Sequence, residues 1–244
     1  MKHRQWRIAA AGLFAALAVS ACTKTAEDHA RDFDREADNN PVLTTLRDTD
    51  PVFYQQIRDR AASRLAAGTP DSDVLASLHS EMRAYTVRQA PYVASAPGAQ
   101  VLQVMRTEAA VIDHLQQTNV ELCAAFAMTG LEGDIRPDAP LKALIDTAAA
   151  ARLKAGRAGQ DDPQDRQEPA QADFLALYAS MQEAGVPEAD LQQFFGEGLN
   201  SATPRQQCDV TTAFYHAILA QPPARAEQVA AYVIKTVAEQ QPTG

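Results

Sequence analysis

Imidazole is the usual acid–base and metal-binding group near neutral pH, and this chain has five histidines: His3, His29, His79, His114 and His216. None has a ready partner in sequence. His79 stands two residues before Glu81 and four before Arg83. Positions two apart on a helix do not face each other, and a neighbour four residues away suits a solvated face. Asp113 and His114 are adjacent, so on a helix they point about 100° apart. His216 follows Tyr215, and Cys208, Thr212, Tyr215 and Leu219 fall on one side of their helix. The chain has no G-x-S-x-G, no H-E-x-x-H and no glycine-rich phosphate loop. The "GEG" at 196–198 is two glycines in a turn. Glu108 and Glu121 are the carboxylates that could serve glycoside hydrolysis if the fold set them across a cleft; the other acids read as helix surface. We therefore expect no catalytic residue, no metal site and no cofactor.

Residues for contact are easier to find. Tyr92 lies in "RQAPYVASAPG" (88–98), between two prolines, which reads as a loop. Phe194 and Phe195 are adjacent in "LQQFFGEGLN" (191–200), so both cannot point the same way. Exposed loop aromatics are typical anchors for a partner, and Tyr92, Phe194 and Phe195 are the candidate partner-binding residues. The alternative is that they fill the core.

The elements that must carry these residues read as helices. In "DPVFYQQIRDRAASRLAAG", Phe53, Ile57, Ala61 and Leu65 recur every four residues. Asp50 suits the cap, Pro51 the first turn and Gly68 the end. Similar stripes follow: Val74, Leu75, Leu78, Met82 and Tyr85, then Val101, Met105, Ile112 and Leu115. "TNVELCAAFAM" is a shorter apolar helix, and "APLKALIDTAAAARLKAG" an alanine-rich one ending at Gly156. Helices are also expected over 174–184, 188–195, 204–220 and 224–239. Period-two patterns are scarce, so the fold class is all-α. The segments "IRDRAASRLAAG" (57–68) and "IDTAAAARLKAG" (145–156) match at seven of twelve positions. They suggest two related halves, 41–133 and 134–240, within one compact domain over 41–244. The polar, proline-marked stretch 157–171 reads as a hinge or loop.

The N-terminus supplies an address. Lys2, Arg4 and Arg7 precede an apolar run from Ile8 to Val19. That run is short for a bilayer span, which takes about 20 residues, and suits the core of a signal peptide. It ends in "VSAC", Val19 to Cys22. Residues 1–22 thus resemble the lipoprotein signal peptide of bacteria, with its lipobox. The resemblance implies that residues 1–21 are removed and that Cys22 is lipidated and acylated, which holds a protein durably to a membrane through its acyl chains. In the lipoproteins it resembles, Asp after the cysteine often signals inner-membrane retention. Thr23 stands here, which points to the outer membrane and its periplasmic face. The stretch 22–40 is charged, with Phe33 as its only large apolar residue, and reads as an acidic flexible tether. As a coil it would reach about 25 Å on average, or about 60 Å pulled straight.

Export leaves Cys123 and Cys208 in an oxidising compartment, where such pairs close. We expect a Cys123–Cys208 disulfide; two buried free thiols are the competing reading. A zinc site is disfavoured, because neither cysteine belongs to a C-x-x-C pair or has a histidine at ligand spacing. The formal charge of −9 falls to −12 once Lys2, Arg4 and Arg7 leave with residues 1–21, which hold no acid. Such acidity disfavours nucleic acid, whose phosphates are neutralised by Lys and Arg, and suits a basic protein partner. The expected function is non-enzymatic binding at the envelope. This deployment resembles that of bacterial immunity and inhibitor lipoproteins, which neutralise a toxin or hydrolase. The alternatives are a structural or trafficking accessory of an envelope or cell-wall machine, and an all-α enzyme acting on peptidoglycan. Nothing in the sequence bears on oligomeric state.

Overall fold

The computed structural model describes residues 24–130, 137–196 and 198–240; Cys22 and the signal segment lie outside them. Among the described residues the chain forms eleven helices and no strand, so the fold is all-α. Three helices come first: α1 (Ala26–Asp38), α2 (Pro41–Thr49) and α3 (Pro51–Ala66).

The α1 helix corrects the expected coil over 22–40. Thr25 and Asp28 close a capping box: the Asp28 N–H donates to Thr25 Oγ1 at 3.2 Å and the Thr25 N–H to Asp28 Oδ2 at 2.9 Å. The charges that suggested disorder are spaced as helix neighbours. Arg31 reaches Glu27 and Asp28, and Arg35 reaches Asp32. Acids in the first turn and Arg35 in the last also complement the helix dipole. Phe33 and Ala37, four apart, form the apolar stripe; Ala37 is fully buried, and Phe33 packs edge-on to Tyr54 at 5.9 Å.

The α3 boundaries follow the expected signals. Asp50 accepts from the Phe53 N–H at 2.9 Å, Pro51 opens the helix, and Gly68 (φ +80°) turns the chain after it. The second oxygen of Asp50 accepts from the Tyr85 hydroxyl at 3.1 Å, tying this cap to the next helix.

The main body consists of α4 (Asp71–Ser95), α5 (Gly98–Thr118), α6 (Val120–Thr129), α7 (Ala139–Asp161), α8 (Gln171–Glu183), α9 (Glu188–Gly196), α10 (Pro204–Leu219) and α11 (Pro223–Gln240). Its centre is α5, which packs against α4, α6, α7, α10 and α11. Val101, Val104, Met105, Val111, Ile112 and Leu115 of α5 are entirely buried. On the far side α7 lies against α2, α4 and α5.

Of two expected loops, one is largely helix and the other is shortened at its start. The stretch 88–98 continues α4 through Pro91 to Ser95, so Tyr92 sits on a helix. The stretch 157–171 begins as the last turn of α7, which stops at Asp161; Asp162, before Pro163, leaves the helical region (φ −140°, ψ 71°), which a following proline disfavours. Gly156 does not end α7, because α7 needs glycines where it crosses α4. A Cβ at Gly159 would stand 1.8 Å from the Tyr92 carbonyl oxygen, and one at Gly156 would meet Gln89 at 3.1 Å. The two matched segments therefore part at their last residue: Gly68 turns the chain, and Gly156 lets two helices touch. The remaining coil, 162–170, is strapped down. Gln164 N–H donates to Ser95 O at 2.7 Å, and Arg166 donates to Ala94 O and Ala96 O at 3.0 and 2.6 Å. These bonds satisfy carbonyls at the end of α4.

Cys123 of α6 and Cys208 of α10 are bonded, fully buried, with Cα atoms 5.4 Å apart and a sequence separation of 85. The pairing joins a helix from each segment that contributes to the core.

Candidate functional site

The widest opening among those that stand out on the described surface, about 360 Å³, is a groove between the end of α5, the α8–α9 turn and α10. Its floor is set by local rules. The α8 helix ends with Gly185 in the left-handed conformation (φ +88°); the Val186 N–H reaches back to Met181 O at 3.1 Å and the Gly185 N–H to Gln182 O at 3.0 Å. Pro187 then opens α9, and this sharp reversal forms one bank. The other bank is α10, started by Thr203 and Gln206, whose side chains cap it reciprocally.

Two carboxylates face the groove. Asp190 Oδ1 accepts from Gln206 Nε2 at 3.0 Å, and Asp209 Oδ1 accepts from Gln116 Nε2 at 2.8 Å. Both supports are neutral amides, so they orient the acids without cancelling their charge. Arg205 stands 3.7 Å from Asp209 Oδ1 and is well exposed. Among the described residues the second oxygen of each acid has no donor. The Thr212 hydroxyl, also on the wall, is spent on Cys208 O at 2.8 Å.

Phe194 lies one turn beyond Asp190 on the same face of α9. It packs edge-on to Phe214 of α10 at 5.0 Å and to Phe195 at 5.0 Å, and Phe195 meets Tyr178 of α8 at 5.5 Å. The expected split is present: Phe194 joins the core and Phe195 is 36% exposed. Leu175, one turn before Tyr178, is 60% exposed and extends the patch. The Tyr178 hydroxyl donates to Glu188 Oε1 at 2.5 Å, which raises the phenol's pKa and lowers the carboxyl's. Tyr92 is 44% exposed on α4 and belongs to none of these ring contacts.

A second charged constellation is internal. Glu108 of α5 is only 5% exposed. Its Oε1 accepts from Arg152 Nε of α7 at 2.5 Å and its Oε2 from the Tyr215 hydroxyl of α10 at 3.2 Å. Burial and the Glu108 charge push the Tyr215 phenol far up. Burial opposes the charge on Arg152, yet the adjacent Glu108 outweighs it and raises its pKa. Glu108 is thus committed to a three-helix tie, while Glu121 is exposed in the first turn of α6. Sequence spacing carries no sign of this tie, whose members are 44 and 107 residues apart.

Of the described histidines, His79 and His216 are exposed and His29 and His114 are half-buried. His216 Nε2 lies 2.8 Å from Asp113 Oδ1, and His114 Nε2 lies 3.9 Å from Asp138 Oδ1 at the cap of α7. No hydroxyl or thiol is bonded to either ring among the described residues. There, too, no group of three or more His, Cys, Asp or Glu side chains is placed to hold a metal ion, and no helix is long and apolar enough to cross a membrane.

Compared with known protein families, curated proteins and solved structures, the chain matches none.

Proposed function

We propose that the chain is a lipid-anchored helical protein of the bacterial envelope that binds a basic protein partner, as an immunity or inhibitor protein binds a toxin or hydrolase. The observation that carries this reading is the groove, where Asp190 and Asp209 are held by amides and a tyrosine–phenylalanine patch adjoins them. A Lys or Arg side chain fits such a site: carboxylates with unspent oxygens receive the cation, and the aromatic patch supplies desolvated contact area. The net charge of −9 supports it, because a negative field steers a basic protein inward. The N-terminal resemblance to lipoproteins supports the envelope address.

Two experiments test the reading. Palmitate labelling is expected on the native chain and absent with Cys22→Ser; labelling that persists removes the anchor. The partner is sought by cross-linking in intact envelopes. A basic protein captured by the native chain, lost with Asp190→Asn/Asp209→Asn, and toxic to cells lacking this gene supports the proposal. A partner that binds the double variant equally well overturns it.

A further inference from the structure

The groove between α5, the α8–α9 turn and α10 differs from a bare negative surface in what its acids have left to offer. Asp190 belongs to one bank and Asp209 to the other. The two stand close. Asp190 accepts from Gln206, which precedes Asp209 by three residues on α10, and side chains so spaced have Cβ atoms about 5–6 Å apart. The α8 helix ends here too, with its C-cap Ala184 and then Gly185 on the lining, so the negative end of its dipole adds to the acids. Asp190 and Asp209 are the charged side chains on that lining. With Arg205 beside Asp209 the three sum to one negative charge, which a single cation neutralises.

The hydrogen bonds already made distinguish one cation from another. An arginine fork pairs best with both oxygens of one carboxylate. Oδ1 of each aspartate already accepts from a glutamine amide, and on Asp209 it also has Arg205 near it. Neither acid therefore offers a clear two-oxygen edge. What remains is one unspent oxygen on each of two separate helices. A lysine ammonium suits that arrangement, being a compact charge with three donors that can meet single oxygens from different groups. The apolar part of the lining, Val186, Pro187, Val210 and Ala213, matches the aliphatic stem behind such a charge.

We infer that the groove is a lysine receptor: one lysine side chain of the basic partner lies along Val186, Pro187, Val210 and Ala213 and sets its ammonium between Asp190 and Asp209. This rests on reading the groove as the partner site, and it narrows the recognised residue from any cation to lysine.

The test needs no partner. The full chain carrying Cys22→Ser is titrated with N-acetyl-lysine methylamide and with its arginine and norleucine counterparts, while amide shifts of Val186, Asp190, Asp209 and Ala213 are followed. The lysine probe should give saturable shifts at these residues and bind at least about threefold tighter than the arginine probe, and the norleucine probe should give none. Because the ammonium spans both acids, Asp190→Asn and Asp209→Asn should each weaken the lysine probe at least about threefold when made singly. No saturable shift with lysine, arginine binding as tightly as lysine, or undiminished lysine binding to either single variant would each overturn the inference. These outcomes bear on the lysine alone; the partner site itself stands or falls on envelope capture by the Asp190→Asn/Asp209→Asn chain.

Discussion

The molecule holds its acids in two different ways. Glu108 is buried and meets a full positive charge on Arg152 and a phenol on Tyr215. Asp190 and Asp209 are part-exposed and are held by neutral amides, with the exposed Arg205 standing 3.7 Å from Asp209. In the first case the charge is consumed inside the fold, joining α5, α7 and α10. In the second the carboxylates are oriented and their charge is left for something outside. The same residue chemistry gives a structural tie in one place and the proposed binding surface in the other, and the difference lies in the charge of the supporting group.

The sharpest way to break that comparison is Arg152→Met. It strands Glu108 in the core and should cost about 3–5 kcal/mol in denaturant unfolding. Pairing it with Glu108→Leu should recover much of that loss; if Arg152→Met costs no more than an ordinary surface change, the tie is not structural. Next in size is Cys123→Ala/Cys208→Ala, which should cost about 2–4 kcal/mol, because the bond restrains the unfolded chain; the oxidised and reduced native protein should differ in the same direction. A smaller effect is local to α1. Thr25→Ala removes its cap and should weaken that helix by about 1 kcal/mol, seen as faster amide exchange over residues 28–31. Hydrogen bonds from Thr25, then Arg31, hold the Asp28 carboxyl below its usual 3.8. Its contribution is therefore complete above that value and fades as pH falls through the lower folded one, so α1 should fray first on acidification. The smallest change in stability, within about 0.5 kcal/mol, is expected for Asp190→Asn/Asp209→Asn. Partner affinity should nevertheless fall at least about tenfold and lose salt dependence. A large drop in melting temperature would mean these acids are structural too.

The signals legible in sequence were those that act within one turn or follow from compartment. Asp50, Pro51 and Gly68 bound α3 by local rules, and Cys123 and Cys208 were the pair left once Cys22 was set aside. The charged stretch before Pro41 misled because composition was weighed above spacing: the charges of Glu27, Asp28, Arg31, Asp32 and Arg35 alternate at helical intervals. Pro91 misled because a helix tolerates one proline when its neighbours hold it, and Gly159 allows α7 to press on that turn. Phe194 and Phe195 divided as adjacency requires. The Glu108–Arg152–Tyr215 tie and the two-carboxylate groove were not legible, since each joins residues from distant helices and neither has a spacing rule.

The early start of α1 has a mechanical consequence. Three peptide units separate Cys22 from the cap at Thr25, a span of about 11 Å at full stretch. If Cys22 is held in a bilayer as proposed, the body would ride on a short leash. It would pivot without wandering, and a partner would be met on the membrane plane rather than in the volume above it. Lengthening that leash with a few glycines and serines would leave every contact described above intact and alter only where the encounter happens.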